Sequence, residues 1–332
     1  MKHVIDFEHR HYGHCESGVV SGLLRHSGLD LSEAMVFGLA SAIMFAYVPF
    51  LRMNNMPTIS YRILPRTIIS GIQSRLGVPF RKRTYRDPGR AMEELVDFMR
   101  KGQIVGLQTS AYWLTYFPPE MRFQFNVHNL IVFGVEDGEF LVSDPVFEHP
   151  VRIQAADLEN ARFAKGVMAP RGFVYHPEAV PSSVDLPVLI RKAIARTLFM
   201  MLSSPPPFGI RGIFYLARKI ERLDRSRDGR YIRLFLGHMI RMQEEIGTGG
   251  GGFRFMYAAF LQEASEILRS AALQEASGKM TLAGDQWRTF ALACARMIRQ
   301  RDGAPDLREI AALLRHCGEM ERDVYVLLKK GI

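Results

Sequence analysis

The chain has 332 residues, of which 48% are hydrophobic, and a formal net charge of +9. This composition excludes a disordered or fibrous protein, and the length exceeds the roughly 250 residues at which a single core stops growing, so we expect two domains. The three cysteines are too few and too scattered for a disulfide framework, and no CxxC pair indicates a metal site, which predicts a metal-free protein of the reducing cytoplasm.

The first ten residues contain no apolar segment of the kind that forms a secretory signal, and no later apolar run approaches the roughly 18 residues of a membrane span. The positive charge favours an anionic partner. Nucleic acid is one such partner, but the basic residues are spread along predicted helices and form no nucleic-acid-binding motif. An acidic protein is the other, since a basic face would speed and orient its encounter. The sequence favours an acidic protein partner and leaves the oligomeric state open.

Cys15 opens the first helix pattern rather than lying inside it, because the apolar spacing predicts a helix from His14 to about His26. The positive end of the helix dipole favours a thiolate at this position, which makes the sulfur a better nucleophile. The simpler interpretation is a small buried cysteine with no reactive role.

An aromatic segment, residues 109–119, follows a strand predicted over 103–108. Its rings at Tyr112, Trp113 and Tyr116 offer a large contact area at low entropic cost, which predicts one wall of a substrate pocket. The alternative is that these rings belong to the core. Their position just before the histidine described next favours the pocket.

Residues 127–145 form two strand patterns around an Asp-Gly turn, with His128 opening the first strand and Asp144 closing the second. Regular pairing would leave His128 and Asp144 about three residues out of register, so we expect twist or a bulge to bring their side chains together. Cys15, His128 and Asp144 then supply a nucleophile, a base and an orienting carboxylate, which predicts a catalytic triad.

The second half of the chain is almost entirely helical by its period, whereas the first half mixes helix and strand signals. A proline-rich segment, residues 177–187, is the predicted linker. We therefore predict an α+β chain with two domains, at residues 1–180 and 188–332. In the second domain one helix is predicted over 253–276, and the next begins at 281.

A glycine-rich loop, residues 247–252, joins two of these helices. Glycine amides at a helix start bind anions, so Gly249 and Gly250, with Arg254 just beyond them, are predicted to contact a phosphate or carboxylate of the substrate. The loop lacks the Lys-Ser/Thr ending and the preceding strand of nucleotide-binding loops. The alternative is a turn that lets two helices pack closely.

Two stretches of sequence carry a family resemblance. Gly13–Gly18 together with Leu31–Leu39 is similar to the N-terminal domain of the butirosin biosynthesis protein H family, and Glu245–Arg254 is similar to the helical C-terminal domain of that family. The resemblance implies a papain-like, cysteine-peptidase-type fold for the first domain. Papain-like enzymes carry a glutamine six residues before the nucleophile that donates to the oxyanion, and this chain has His9 there. A histidine can donate the same bond, so His9 is the oxyanion candidate.

The resemblance also implies the type member's reaction, in which an acyl group moves from an acyl carrier protein onto an amine. We therefore expect an acyltransferase of small-molecule biosynthesis, with a phosphopantetheine thioester on a carrier protein or coenzyme A as donor substrate and no bound cofactor. The acyl group would pass through Cys15 to an amine or, as a lesser alternative, a hydroxyl. A cysteine peptidase or amidase would use the same triad and let water resolve the intermediate. A binding module with a vestigial triad is the third interpretation.

Overall fold

The computed structural model describes residues 2–53, 55–181, 183–223, 229–300 and 306–331. The bounds of the strands are β1 Lys2–Val4, β2 Ile43–Met53, β3 Met56–Arg62, β4 Phe80–Arg83, β5 Val105–Thr109, β6 His128–Glu136, β7 Glu139–Ser143, β8 Val151–Gln154 and β9 Val174–Pro177. The bounds of the α-helices are α1 Cys15–His26, α2 Glu33–Leu39, α3 Thr67–Leu76, α4 Pro88–Arg100, α5 Ala155–Arg162, α6 Leu186–Leu198, α7 Gly209–Glu221, α8 Gly229–Ile240, α9 Arg254–Leu268, α10 Ala271–Ile298 and α11 Leu307–Gly331.

The chain divides into two compact units that alternate along the sequence, Met1–Val36 with Ile68–Val184, and Phe37–Thr67 with Asp185–Ile332. The segment 37–67 therefore belongs to the second unit, whereas the sequence-based boundaries place it in the first domain. The reason is that the apolar hairpin of β2 and β3 packs on helices of the second unit. The rings of Phe45 and Tyr61 lie 5.9 and 5.5 Å from that of Trp287.

The first unit is built on a seven-stranded antiparallel sheet in the order β4-β9-β5-β6-β7-β8, with β1 also paired to β6. Helix α1 packs on one face of β6, where a Cβ at Gly22 would lie only 3.0 Å from Ile131. On the other face, Leu107 and Leu130 contribute to a buried apolar cluster that also contains side chains of α4 and α5. Alternate residues of β6 therefore face α1 and the larger core, as the period of a buried strand requires.

The hairpin of β6 and β7 turns at Asp137 and Gly138, whose φ angles are 51° and 86°. Such left-handed backbone favours Asp-Gly in a two-residue hairpin turn. The register shifts between Val132 and Gly134, so that Ile131 pairs with Ser143. This irregularity reduces the offset between His128 and Asp144 by one residue, as the sequence analysis anticipated.

The second unit contains the hairpin of β2 and β3 and helices α6 to α11. The prediction of an α+β chain with a mainly helical C-terminal region is confirmed. The predicted helix boundary near residues 276–281 is wrong, because Arg269 is left-handed at a φ of 49° and Ser270 caps α10 by accepting from the Leu273 N–H at 3.4 Å. No helix in the described part of the chain is long and apolar enough to cross a membrane.

Candidate active site

Cys15 is the first residue of α1, and its side chain is 5% exposed. The helix is capped by His14, whose extended backbone precedes it and whose Nδ1 accepts from the Ser17 N–H at 3.2 Å. The Cys15 sulfur lies 3.8 Å from the carbonyl oxygen of Val127, at the point where the chain enters β6. The predicted place of this cysteine, at the positive end of a helix and facing the sheet, is therefore what the structure shows.

Glu33 holds the segment that leads into this helix. Its carboxylate accepts from the backbone N–H groups of Gly13 at 2.8 Å and His14 at 2.7 Å, and from the Ser17 hydroxyl at 3.0 Å. Burial raises the pKa of Glu33 to about 7, against the lowering effect of these hydrogen bonds. The sequence analysis missed this role of Glu33, since nothing in the local pattern pairs it with residues about twenty positions earlier.

Glu33→Ala is expected to lower the free energy of unfolding by about 1–3 kcal/mol, because two backbone N–H groups lose their acceptor. The sign of its pH dependence follows from the raised pKa of Glu33. As the pH rises from 4.5 to about 7, the carboxyl of Glu33 loses its proton in the unfolded chain before it does so in the folded chain. Wild type therefore loses stability over this range, and the difference in free energy of unfolding between wild type and Glu33→Ala becomes smaller. Denaturant unfolding at low and at neutral pH measures this gap in free energy. The exposed Glu93→Ala on α4 is the control, and a gap that widens with pH contradicts the prediction.

His128 and Asp144 form a buried pair at the start of β6 and just beyond the end of β7. The His128 Nε2 lies 2.7 Å from the Asp144 Oδ2, and the two residues are 4% and 0% exposed. The second carboxylate oxygen accepts from the Val146 N–H at 3.1 Å, and the ring of Phe117 meets the imidazole edge-on at 5.3 Å. Since the carboxylate accepts, Nε2 carries a proton and Nδ1 is the nitrogen left for the Cys15 thiol.

The protonated form of His128 is strongly favoured. Burial alone lowers the pKa of His128, but the charge and hydrogen bond of Asp144, followed by those of Cys15, outweigh burial and raise the pKa to about 10. An imidazolium next to the sulfur stabilises a thiolate. The arrangement can therefore hold a nucleophilic sulfur beside a group that is able to return a proton.

Tyr116 contacts the carboxylate of this pair rather than open space. Its hydroxyl donates to the Asp144 Oδ2 at 2.7 Å, the same oxygen that accepts from His128. Burial, and then the negative charge of Asp144, raise the pKa of Tyr116 well above its ordinary value, so this hydroxyl keeps its proton and donates. Tyr116 was predicted as a wall of the substrate pocket, and the structure makes it a positioning residue. Tyr112 and Trp113, 48% and 39% exposed, stay predicted substrate contacts.

Tyr116→Phe is expected to slow the alkylation of Cys15 by iodoacetamide about tenfold, because Asp144 loses one of its donors while its bond to His128 remains. The rate of Cys15 modification, followed by intact-protein mass, measures this effect. Thr115→Val removes a hydroxyl from the same segment at an exposed position, where it donates to Asp157, and should leave the rate unchanged. Equal rates for wild type and Tyr116→Phe would show that the hydroxyl does not support the pair.

His9 was predicted to donate a hydrogen bond to the oxyanion, but its ring nitrogens contact other groups. Its Nε2 lies 3.0 Å from the carbonyl oxygen of Phe147 and must donate to it, while its Nδ1 lies 2.7 Å from the Ser143 hydroxyl. Burial lowers the pKa of His9, so the ring is neutral and has a single N–H. That N–H is used by Phe147. The assignment of His9 as oxyanion donor is therefore not supported by the geometry.

The glycine-rich loop is a packed turn whose anion-binding groups have partners in the protein. The Gly251 N–H donates to the Glu244 carboxylate at 3.2 Å, and the Gly250 N–H donates to the Thr248 hydroxyl at 3.1 Å. Gly249 and Gly250 have φ angles of 66° and 82°, which glycine adopts at little cost. The prediction that the Gly250 amide binds a substrate anion is contradicted by these bonds, and Gly249 makes a left-handed turn.

Arg254 is fully buried and pairs with the carboxylate of Glu321 at 2.9 Å. Its Nη1 also donates to the carbonyl oxygen of Gly252 at 2.6 Å. A guanidinium in this environment stabilises the interior of the second unit and is unavailable to a substrate. The prediction of Arg254 as a substrate contact is wrong, because its charge is used by a glutamate 67 residues later.

The part of the chain that the structure describes holds no group of three or more His, Cys, Asp or Glu side chains arranged for a metal ion. Cys15, His128 and Asp144 are the groups from which we derive the chemistry of the candidate site. A helix that begins at the candidate nucleophile Cys15 packs on an antiparallel sheet that bears the histidine and the carboxylate, which is the arrangement of a papain-like fold.

Comparison with known proteins identifies the family of the chain. Residues 14–145 match the model of the N-terminal domain of butirosin biosynthesis protein H, and residues 156–328 match that of a domain of unknown function, DUF4872. The chain belongs to the butirosin biosynthesis protein H family and has a C-terminal DUF4872 domain. A Bacillus anthracis protein described as a C39-like peptidase is similar over 55% of this chain and 100% of its own, at 15% identity and a TM-score of 0.40. No curated protein matches the chain.

Proposed function

We propose that the protein is an acyltransferase that carries an acyl group on Cys15, from a phosphopantetheine thioester to an amine. The observation that carries the proposal is the buried His128–Asp144 pair, joined at 2.7 Å, next to a cysteine that begins a helix. Family membership supports the biosynthetic role, since the model that matches residues 14–145 is that of a butirosin biosynthesis protein. The donor is an acyl carrier protein or coenzyme A, and the positive charge of the chain suits an acidic carrier.

The reaction has two halves. In the first, His128 holds the proton of Cys15, the thiolate attacks the thioester carbonyl, and the leaving phosphopantetheine thiolate takes the proton from His128. The bond from carbon to the donor sulfur breaks as the bond to the Cys15 sulfur forms. Exchange of one thioester for another is close to isoenergetic, which makes a thioester a suitable donor for a cysteine.

In the second half, the amine attacks the acyl-Cys15 carbonyl. His128 takes the proton that the amine loses, and the Cys15 sulfur leaves as a thiolate, which gives an amide and restores the enzyme. We assign the stabilisation of the oxyanion in both halves to the backbone N–H of Cys15, because the first N–H groups of a helix have no partner within the helix. A peptidase or amidase would differ only in letting water attack the acyl-enzyme, so the fate of that intermediate separates the two functions.

Intact-protein mass spectrometry after mixing the protein with acyl-thioesters on carrier protein and on coenzyme A tests the proposal. We expect wild type to gain the mass of one acyl group and to lose it on addition of amines. Cys15→Ala should gain nothing. Cys294→Ala is the matched control and should still be acylated, because burial raises the pKa of that thiol and keeps it unreactive. If no thioester acylates Cys15 and peptides or amides are hydrolysed instead, the protein is a peptidase or amidase.

A further inference from the structure

Asn129 is the second residue of β6 and is 3% exposed. Its Nδ2 lies 3.0 Å from the carbonyl oxygen of Val127 and 3.8 Å from the Cys15 sulfur, and its Oδ1 lies 2.9 Å from the Tyr175 hydroxyl. The orientation of the amide is fixed, because a carbonyl oxygen only accepts and must face the NH₂ group. The Tyr175 hydroxyl therefore donates to Oδ1, and the second N–H of Asn129 is directed toward the sulfur.

A cysteine nucleophile needs donors around its sulfur as well as a base, because the thiolate carries a full charge in a dry site. His128 supplies one such donor. His9, the predicted donor to the oxyanion, uses its N–H on the carbonyl of Phe147 and is not such a donor. Asn129 is the buried side-chain amide in contact with the sulfur, on the strand that also carries His128.

We propose that Asn129 is a catalytic residue that donates a hydrogen bond to the Cys15 sulfur and stabilises its thiolate, held in place by the Tyr175 hydroxyl as a positioning residue. This rests on the proposed function only in that Cys15 is the nucleophile. No covalent step is added. When His128 holds the Cys15 proton, the second Asn129 N–H shortens its contact to the charged sulfur, since hydrogen bonds to ions are shorter and stronger than those to neutral groups.

The test is the pH dependence of Cys15 alkylation by iodoacetamide on the full chain, with the modified peptide quantified by mass spectrometry. Asn129→Leu keeps the size of the side chain and removes the donor. We expect the midpoint of its rate profile to move about one pH unit upward, which is a roughly tenfold slower reaction on the acidic side, with rates that converge at high pH. Tyr175→Phe should move the midpoint in the same direction by a smaller amount.

Gln108→Leu is the matched control. Gln108 lies opposite Asn129 on β5, is equally buried, and uses its NH₂ group on the carbonyl oxygens of Asn126 at 2.6 Å and Met168 at 3.4 Å. Losing this amide costs comparable packing, and the midpoint should stay that of wild type. A midpoint unchanged in Asn129→Leu, or shifted equally in Gln108→Leu, overturns the proposal.

If Asn129→Leu does not fold by circular dichroism, Asn129→Ala takes its place with the same two outcomes. The alkylation needs no acyl donor, so this test is independent of the transferase activity. If Asn129→Leu shifts the midpoint but no thioester acylates the wild type, Asn129 is the sulfur donor and the proposed acyltransferase function is wrong. If a thioester acylates the wild type but Asn129→Leu leaves the midpoint unchanged, the function stands and the role of Asn129 is wrong.

Discussion

Asp144→Asn is expected to slow the acylation of Cys15 by roughly 10³- to 10⁴-fold. The Asp144 Oδ2 accepts the Nε2 proton of His128 at 2.7 Å and so keeps Nδ1 available to the thiol. An asparagine at this position can turn its NH₂ group toward Nε2. The histidine proton then moves to Nδ1, and the ring can no longer take a proton from Cys15.

The pH profile separates this cause from a general loss of structure. Burial is the largest influence on the pKa of His128 and lowers it, and Asp144 is the largest influence that raises it to about 10. Without the carboxylate, burial brings the pKa of His128 down, so the histidine loses its proton at a lower pH. Acyl transfer requires that proton for the leaving thiol, so the rate falls above the pH at which His128 loses it. This alkaline limit of the acylation rate should therefore move to lower pH in Asp144→Asn.

Single-turnover acylation of wild type and Asp144→Asn across the neutral and alkaline range measures both the rate and this limit. Asp157→Asn is the control in the same unit, since Asp157 accepts from the Thr115 hydroxyl at an exposed position. It should leave rate and limit unchanged. An Asp144→Asn protein that is acylated within tenfold of wild type would show that the His128–Asp144 pair does not drive the reaction.

The core of the site was predictable because its signals are local. A cysteine at a helix start, a histidine at a strand start and an aspartate at the end of the paired strand are each visible in a few residues of sequence. The need for a bulge followed from the offset between His128 and Asp144, and a register shift is found between Val132 and Gly134. The contact between their side chains, 2.7 Å long, was then a consequence of hairpin geometry.

The donors around the site were not predictable, because they depend on contacts between distant segments. His9 matches the position of an oxyanion donor by its spacing from Cys15, yet its ring is engaged by Ser143 and Phe147, more than 130 residues away. Asn129 follows His128 directly, and strand alternation suggests that the two side chains point apart. Its contact with the sulfur arises because Cys15 lies at the end of the strand, beside Val127.

The same limit explains the outcome in the second unit. The residues of the glycine-rich loop suggested an anion site, and one amide of the loop and the arginine beyond it do donate to carboxylates. Those carboxylates are Glu244 and Glu321 of the protein itself. Local sequence shows that a positively charged group requires a negatively charged partner. It does not show which residue this is, because Arg254 on α9 meets Glu321 on α11 only in the folded protein.

The buried pair of Arg254 and Glu321 makes a second large effect predictable. Glu321→Ala is expected to lower the free energy of unfolding of the second unit by about 3–5 kcal/mol, because it leaves a guanidinium without a counter-charge in a dry interior. Burial lowers the pKa of Arg254, but the charge of Glu321 outweighs burial and raises it, so the arginine is fully charged. The indole N–H of Trp287 also donates to Glu321 and would lose its acceptor.

Denaturant unfolding of Glu321→Ala in a Trp113→Phe background, followed by the fluorescence of Trp287, reports this unit because the chain has only two tryptophans. Glu275→Ala is the control, since Glu275 forms an exposed ion pair with Lys279 and such pairs contribute little. The double variant Arg254→Met with Glu321→Leu should recover most of the loss, because apolar side chains need no counter-charge. If the double variant is no more stable than Glu321→Ala, the cost is one of packing and not of an isolated charge.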